Sequence, residues 1–384
     1  MVGGSRDTPA LKVRRMGPLN AGVNLLWCRP GHVGGAEEYL VRQLAGLAIA
    51  DPAIRVTLAV PPGLVTAHPS MARETTIVTG HPRSRTLAGR LVEEVRWLPS
   101  VMDGMDLVHH GNATVPFRSP GPIVLTVHDL QHRFYPRYFS ATRLAYLHRM
   151  VPRSVRRAAV VCVPSEFVRS TIIAAYDVDP ALVHVVPHGV PLPPRAIPEE
   201  ADLRRRYALG SGPMLLYPAA TFPHKRHDFL IALLRGPLRR TDLSLVLIGG
   251  SGRAEGEVVK AITRSGVSER IHRLGRVPDD HRDGLMAMAD AVVFPSEYEG
   301  FGAPVIEAMA IGTPVVCSDA AALPEVAGDA AAIAALDLEA WEDAIHQVRA
   351  RRSEFVQKGR QRAALFTVER AGEALASAYR VAAA

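Results

Sequence analysis

The chain has 384 residues, 48% hydrophobic and 22% charged, which suits a folded protein with material for two cores. No apolar run nears the ~18 residues needed to cross a bilayer, which excludes a membrane-spanning helix. Cys28, Cys162 and Cys317 lie far apart in strand-like stretches, so they read as buried thiols in a reducing compartment and exclude a disulfide framework.

Residues 1–20 read as a disordered, mildly basic tail without the apolar core of a secretion signal. Strands are then expected at Gly22–Cys28, Arg55–Val60, Leu107–His109, Ile123–His128, Val160–Pro164 and Val183–Val186. Helical patterns fall between them, at 35–50, 85–97, 142–157 and 166–176. Residues 191–212, rich in Pro and then charged, read as a linker. Further strands are expected at Met214–Tyr217, Leu243–Ile248, Ile271–Leu274, Ala291–Phe294 and Pro314–Cys317, with helices at 225–234, 254–265, 281–289 and 304–311. This alternation predicts an α/β fold of two doubly wound, Rossmann-like domains, 21–190 and 213–365. A last helix, 366–384, follows. Ligands of such sheets bind in the cleft outside the strand C-termini.

The densest chemistry lies in Pro295–Met309. A buried strand runs into Gly300 and Gly302, and Pro304 then suits the first turn of a helix. Helix-start amides attract phosphate, and the carboxylates of Glu299 and Glu307 accept hydrogen bonds from sugar and ribose hydroxyls. The combination fits a nucleotide sugar. His128 ends a strand, where it can bond a sugar hydroxyl or stabilise developing positive charge through its acceptor nitrogen; Asp129 either orients an acceptor or caps a helix. Lys225 opens a helix where its charge can neutralise a diphosphate. Gly34 and Gly35 follow the first strand, and Gly249 and Gly250 follow the second strand of the second half. Asp177-Val178-Asp179 sits away from these loops and is not read as a metal motif; no other metal-ligand spacing occurs.

The net charge of +7 is concentrated. No acid lies between Leu130 and Ser165, while Arg149, Arg153, Arg156 and Arg157 share helical spacing. The Arg133–Arg157 stretch suits an anionic membrane surface, a phosphate-bearing acceptor, or simply a solvated face. No nucleic-acid reader motif accompanies it.

The Glu299–Glu307 block resembles the E-x7-E element of retaining GT-B glycosyltransferases of glycosyltransferase family 4, and the likeness continues through Gly312-Thr313-Pro314-Val315-Val316. It spans roughly residues 22–335. It implies a GT-B fold and a retaining, metal-independent transfer of sugar from a nucleotide sugar to a glycan or lipid-linked acceptor. By the same likeness, Glu307 takes ribose hydroxyls, and Glu299 with the Phe301–Gly302 backbone takes donor-sugar hydroxyls. His128 contacts the donor sugar, and Gly34 and Gly35 lie beside the donor phosphates and acceptor. Gly249 and Gly250 border the nucleotide, and the backbone at Arg276 and Val277 meets the base. Lys225 matches the family lysine on the diphosphate, but the family arginine falls on Ala219 or Ala220; Arg226 or His224 is the expected substitute cation. The Pro-His-Lys loop resembles some polysaccharide mannosyltransferases, which favours GDP-mannose over UDP- or dTDP-sugars. A cytoplasmic enzyme without a cofactor is implied, and the basic stretch leaves open an attachment to the inner face of the membrane. The missing arginine leaves a second reading, a catalytically silent sugar-nucleotide binder or scaffold.

Overall fold

Short runs of Val, Ile and Leu, too apolar for a surface, become strands buried on both faces. The structure is a computed structural model that describes residues 17–29, 34–73, 75–192 and 196–384. The expected tail and the Pro30–Val33 part of the first glycine loop therefore lie largely outside the described residues.

The first sheet comprises β1 (Leu19–Asn24), β2 (Ile54–Val60), β3 (Thr75–Thr79), β4 (Leu107–His110), β5 (Ile123–Thr126), β6 (Val160–Val163) and β7 (Val183–Val185). The second comprises β8 (Met214–Pro218), β9 (Ser244–Ile248), β10 (Ile271–Gly275), β11 (Ala291–Phe294), β12 (Val315–Ser318) and β13 (Ala332–Ala334). Their orders are β3-β2-β1-β4-β5-β6-β7 and β10-β9-β8-β11-β12-β13, and every pairing is parallel. Strand order reverses beside β1 in the first sheet and beside β8 in the second, the switch points at which such sheets bind ligands.

Three local readings change. The first strand ends at Asn24, and Leu25–Cys28 leaves it as a turn, the Cys28 amide donating to the Leu25 carbonyl at 2.9 Å. The apolar run misled because these side chains, though outside the strand, are as buried as those of a strand. β3 and β13 are edge strands rich in Thr and Ala, with little of the apolar signal of a core strand. The stretch 191–212 contains a helix, Glu200–Arg206, that buries Leu203 against Gly284.

The chain leaves the first domain at 186–190 and returns beside that exit. The Val190 amide donates to the Phe366 carbonyl at 2.8 Å, and Val190 bridges Thr367. Thr367 then caps the helix Val368–Ala382. That helix packs on Gly35–Ala50, with Gly46 and Gly372 so close that a side chain on either would overlap backbone. Its Tyr379 hydroxyl bonds His109 Nδ1 at 2.8 Å, and Arg380 pairs with Asp51 at 2.8 Å. Leu375 and Tyr379 belong to the first sheet's core. Residues 366–384 thus cross back and pack on the first domain.

Candidate active site

The strand C-termini of the two sheets face each other, and their loops touch. Ser165 caps Glu166–Tyr176 and also donates to the Gly300 carbonyl at 2.7 Å. The Tyr298 hydroxyl accepts from the Leu130 amide at 3.2 Å. Glu297 accepts from the Tyr138 hydroxyl at 2.8 Å. Glu325 accepts from the amides of Glu166 and Phe167, each at 2.8 Å, so a carboxylate of one domain sits on a helix N-terminus of the other. Asp177 and Asp179 play backbone roles: Asp177 ends a helix in the left-handed region, and Asp179 accepts from the Ala181 amide.

Gly302 has φ +90 and precedes the helix Ala303–Ile311, with Pro304 in its first turn. Gly300 is bare because a side chain would overlap the His128 carbonyl. Glu299 is therefore held at the domain boundary, and Lys225 Nζ pairs with its Oε1. The two side chains are 13% and 17% exposed, respectively, so the pair is shielded but reachable. The Tyr217 hydroxyl anchors the lysine's own carbonyl at 2.6 Å. Asp129 adjoins this pair from the first domain. Burial raises its carboxyl above the ordinary value; the Gln131 amide, donating at 2.8 Å, opposes that shift, and the nearby Glu299 charge adds to it.

His128 is half-buried between the Trp27 and Tyr39 rings, at 6.1 and 5.2 Å. Burial pushes it down to about 4, so it is neutral near pH 7. Its Nε2 donates to the Gly111 carbonyl at 3.1 Å, which assigns the acceptor role to Nδ1. His188, unassigned by the sequence, is buried against Phe301 at 4.8 Å and Tyr39 at 4.5 Å. That contact positions the Phe301–Gly302 backbone.

Glu307 does not stand alone in its helix. Arg42 Nη1 of the first domain lies 2.8 Å from its Oε1, and both side chains are nearly buried. Arg42 also binds Glu38 Oε1 at 2.9 Å and the Gly189 carbonyl at 3.2 Å. The Arg282 charge bears on Glu307 from the neighbouring helix Asp279–Met288. Nothing about Arg42 marked it in the sequence, because it sits inside an ordinary helix repeat; only the fold brings it to Glu307.

The second-domain glycines work by close approach. Gly249, at φ +136, presses against the Ala219 carbonyl, and a side chain on Gly250 would meet Arg276 Nε at 3.0 Å. Arg276 is exposed, and Val277 packs partly on the core. Among the described residues, none lies within 4 Å of where a side chain on Gly34 or Gly35 would begin.

The expected substitute cations do not supply a spare charge. Arg226 is held by Glu297 at 2.9 Å and Asp228 at 3.1 Å. His224 is pushed down to about 4, chiefly by burial and next by the Lys225 charge, so it is neutral at pH 7. No cluster of three or more His, Cys, Asp or Glu able to hold a metal occurs among the described residues. Among the same residues, no helix is long and apolar enough to cross a membrane.

Fold and site together define an architecture of two Rossmann-like domains meeting at their strand C-termini, and comparison with known proteins agrees. Residues 33–192 match the model described as Glycosyltransferase Family 4, and residues 200–362 match Glycosyl transferases group 1. The chain belongs to this glycosyltransferase family. It is 32% identical over 228 residues to O-antigen chain mannosyltransferase B of Escherichia coli, covering 58% of this chain and 60% of that one. It is 28% identical over 253 residues to the MMP alpha-(1->4)-mannosyltransferase of Mycolicibacterium hassiacum, covering 62% and 58%. These matches thus span about three-fifths of each relative's length. Among solved structures, Anabaena HepE with UDP and glucose has a TM-score of 0.73 at 22% identity, covering 94% of this chain and 98% of that chain. Sucrose-phosphate synthase of Thermosynechococcus elongatus has a TM-score of 0.75 at 20% identity, with the same coverages. These likenesses establish the GT-B fold.

Proposed function

We propose that the protein is a retaining, metal-independent glycosyltransferase that moves a sugar, mannose from GDP-mannose in the favoured reading, to a glycan or lipid-linked acceptor. The observation that carries this is the Lys225–Glu299 pair at the domain boundary, beside the glycine-opened helix Ala303–Ile311. Mannosyltransferases among the relatives support the choice of sugar.

The nucleotide lies on the second domain. Glu307 accepts from ribose hydroxyls, and the backbone at Arg276 and Val277, with Gly249 and Gly250, borders the base and phosphates. Lys225 exchanges part of its contact with Glu299 for the diphosphate. Glu299 and the Phe301–Gly302 backbone then receive the donor sugar's hydroxyls. As the bond to the phosphate breaks, negative charge grows on the leaving oxygen, and Lys225 with the helix-start amides stabilises it. The neutral His128 offers a lone pair to the electron-poor sugar, which a protonated ring could not do. The departing phosphate takes the acceptor's proton on the same face, which accounts for retention. The acceptor enters from the first domain near Gly34, Gly35 and His128. Contacts between the lobes exclude water and limit hydrolysis.

Peripheral attachment to the inner membrane face would use the exposed Arg149 and Arg156 of the helix Ala141–Arg157. Arg153 and Arg157 contribute less, because they bind the carbonyls of Val115 at 3.2 Å and Pro116 at 3.0 Å. The test of function is release of nucleoside diphosphate from GDP-mannose, UDP-glucose and dTDP-rhamnose. Release that disappears in Glu299→Ala supports an enzyme. A ligand-induced rise in melting temperature without release indicates a silent binder.

A further inference from the structure

The helix Glu166–Tyr176 of the first domain begins against the second domain, and its start is complete only there. The first amides of a helix have no partner within it. Here the Ser165 hydroxyl accepts from the Val168 amide at 3.2 Å. The amides of Glu166 and Phe167 go instead to Glu325 of the other domain, one to each carboxylate oxygen, both at 2.8 Å. The Glu166 side chain pairs with Arg169 at 3.4 Å, which leaves the helix start to Glu325. The buried Ser165 hydroxyl also donates across the boundary, to the Gly300 carbonyl at 2.7 Å. The Phe167 ring meets Tyr298 edge-on at 5.9 Å.

Both contacts lead to Glu299. Gly300, held by Ser165, follows it in the chain. The Glu299 carbonyl itself accepts from the Ala322 amide at 3.3 Å. Ala322 is the N-cap of the short helix Leu323–Ala327, which carries Glu325. Ala322 and Leu323 are buried, and Leu323 Cδ2 lies 2.5 Å from where a side chain on Gly302 would begin. Arg362 fixes the far end of this helix by donating to the Val326 carbonyl at 2.9 Å. Glu325 is therefore linked to Glu299 by one turn of buried backbone. Its own carboxylate is exposed, so water competes for its two bonds. That suits a contact that forms and breaks with the cleft.

We propose that the Ser165–Phe167 helix start is the seat that aligns Glu299 with the donor sugar, and that Ser165 and Glu325 are its positioning residues. The inference deepens the glycosyltransferase reading and rests on it. When the domains part, Gly300 and Glu325 lose their donors, and the 299–302 loop loses its support from the first domain. A nucleotide still binds to the second domain, but its sugar is no longer aligned. The seat thus couples the chemical step to closure while leaving nucleotide affinity to other groups.

Two changes break this contact from opposite sides. Glu166→Pro deletes one amide that serves Glu325. Glu166 is the first helical position, where proline fits, and Ser165 at φ −154 and ψ 162 has the extended backbone that precedes a proline. Glu166→Gln keeps the amide and is the reference for it. Glu325→Gln keeps the shape and removes the charge. Single-turnover transfer from GDP-mannose, UDP-glucose or dTDP-rhamnose, with calorimetry on the matching nucleoside diphosphate, separates alignment from binding. Glu166→Pro, relative to Glu166→Gln, and Glu325→Gln, relative to wild type, should each slow the chemical step about 5-fold or more, the scale of a charge at an exposed helix start. Diphosphate affinity should stay within about 2-fold. The double variant should be slowed by less than the product of the two losses, because both break one contact. Small-angle scattering, which needs no turnover, should give both variants a larger radius of gyration than wild type. Undiminished rates, losses that multiply in the double variant, a loss of affinity as large as the loss of rate, or an unchanged radius of gyration overturns the seat. A wild type that turns over none of the three donors sinks the donor reading instead, and scattering still decides the seat.

Discussion

Arg42 Nη1 of the first domain stands 2.8 Å from Glu307 Oε1 of the second, and the carboxylate is 11% exposed. The carboxylate that the proposed function assigns to the ribose is therefore supported from across the cleft. Arg42→Met leaves a nearly buried carboxylate short of a partner, so it should cost about 3 kcal/mol of stability. Glu307→Gln keeps the shape but weakens the acceptor, and should weaken nucleoside diphosphate binding by about 10-fold or more. Denaturant titration and calorimetry read the two effects separately.

Lys225→Met should act mainly on the chemical step. In the proposed reading its charge helps to hold the diphosphate and counts most as negative charge grows on the leaving oxygen. A loss of roughly 100-fold or more in kcat is expected, the scale of a removed electrostatic stabiliser. Single-turnover rates check it. A change in KM alone would mean that Lys225 holds substrate and transition state equally.

The returning helix is fixed by two glycines. Gly46→Ala or Gly372→Ala puts a methyl into facing backbone, which must move apart. We expect a loss of about 2 kcal/mol or more, together with faster proteolysis near residue 367. Thermal melts and limited digestion measure both.

Acid should destabilise the fold well before the carboxylates protonate. His109 and His110 are pushed down by burial to about 3, and His128 to about 4, from an ordinary 6.5. Below pH 6.5 the unfolded chain takes up protons that the native state refuses. Stability from these groups is thus complete above pH 6.5 and falls as pH drops toward 4. Each histidine contributes a slope of up to about 1.4 kcal/mol per pH unit. His109→Gln should lower stability at pH 7, because His109 bonds Tyr379 and Thr126, each at 2.8 Å. It should also flatten the decline between pH 6.5 and 4, as equilibrium unfolding across that range would show.

The sequence carried the periodic parts of this molecule. Ala291–Phe294 and Gly35–Ala50 form where their patterns put them, because an apolar run or stripe has one way to be buried. Edge strands such as β3 escaped, since a half-exposed Thr-rich strand resembles a loop. In the site, Glu299, Glu307 and Lys225 were legible because they stand in or beside glycine- and proline-marked turns. Arg42, Glu297 and Glu325 were not legible. Their meaning comes from partners 265, 159 and 159 residues away, at Glu307, Tyr138 and Glu166 respectively, and no local spacing encodes such a contact. The neutrality of His224 was also hidden, because it follows from burial.

The central claim is that Glu307 and Lys225 hold a sugar nucleotide between the domains. Thermal melting with GDP, UDP and dTDP tests it most directly, on wild type, Glu307→Ala and Lys225→Ala. The account predicts a rise for wild type with at least one of the three, GDP first, and a much smaller rise in both variants. No shift with any nucleotide, or equal shifts in all three proteins, would contradict it.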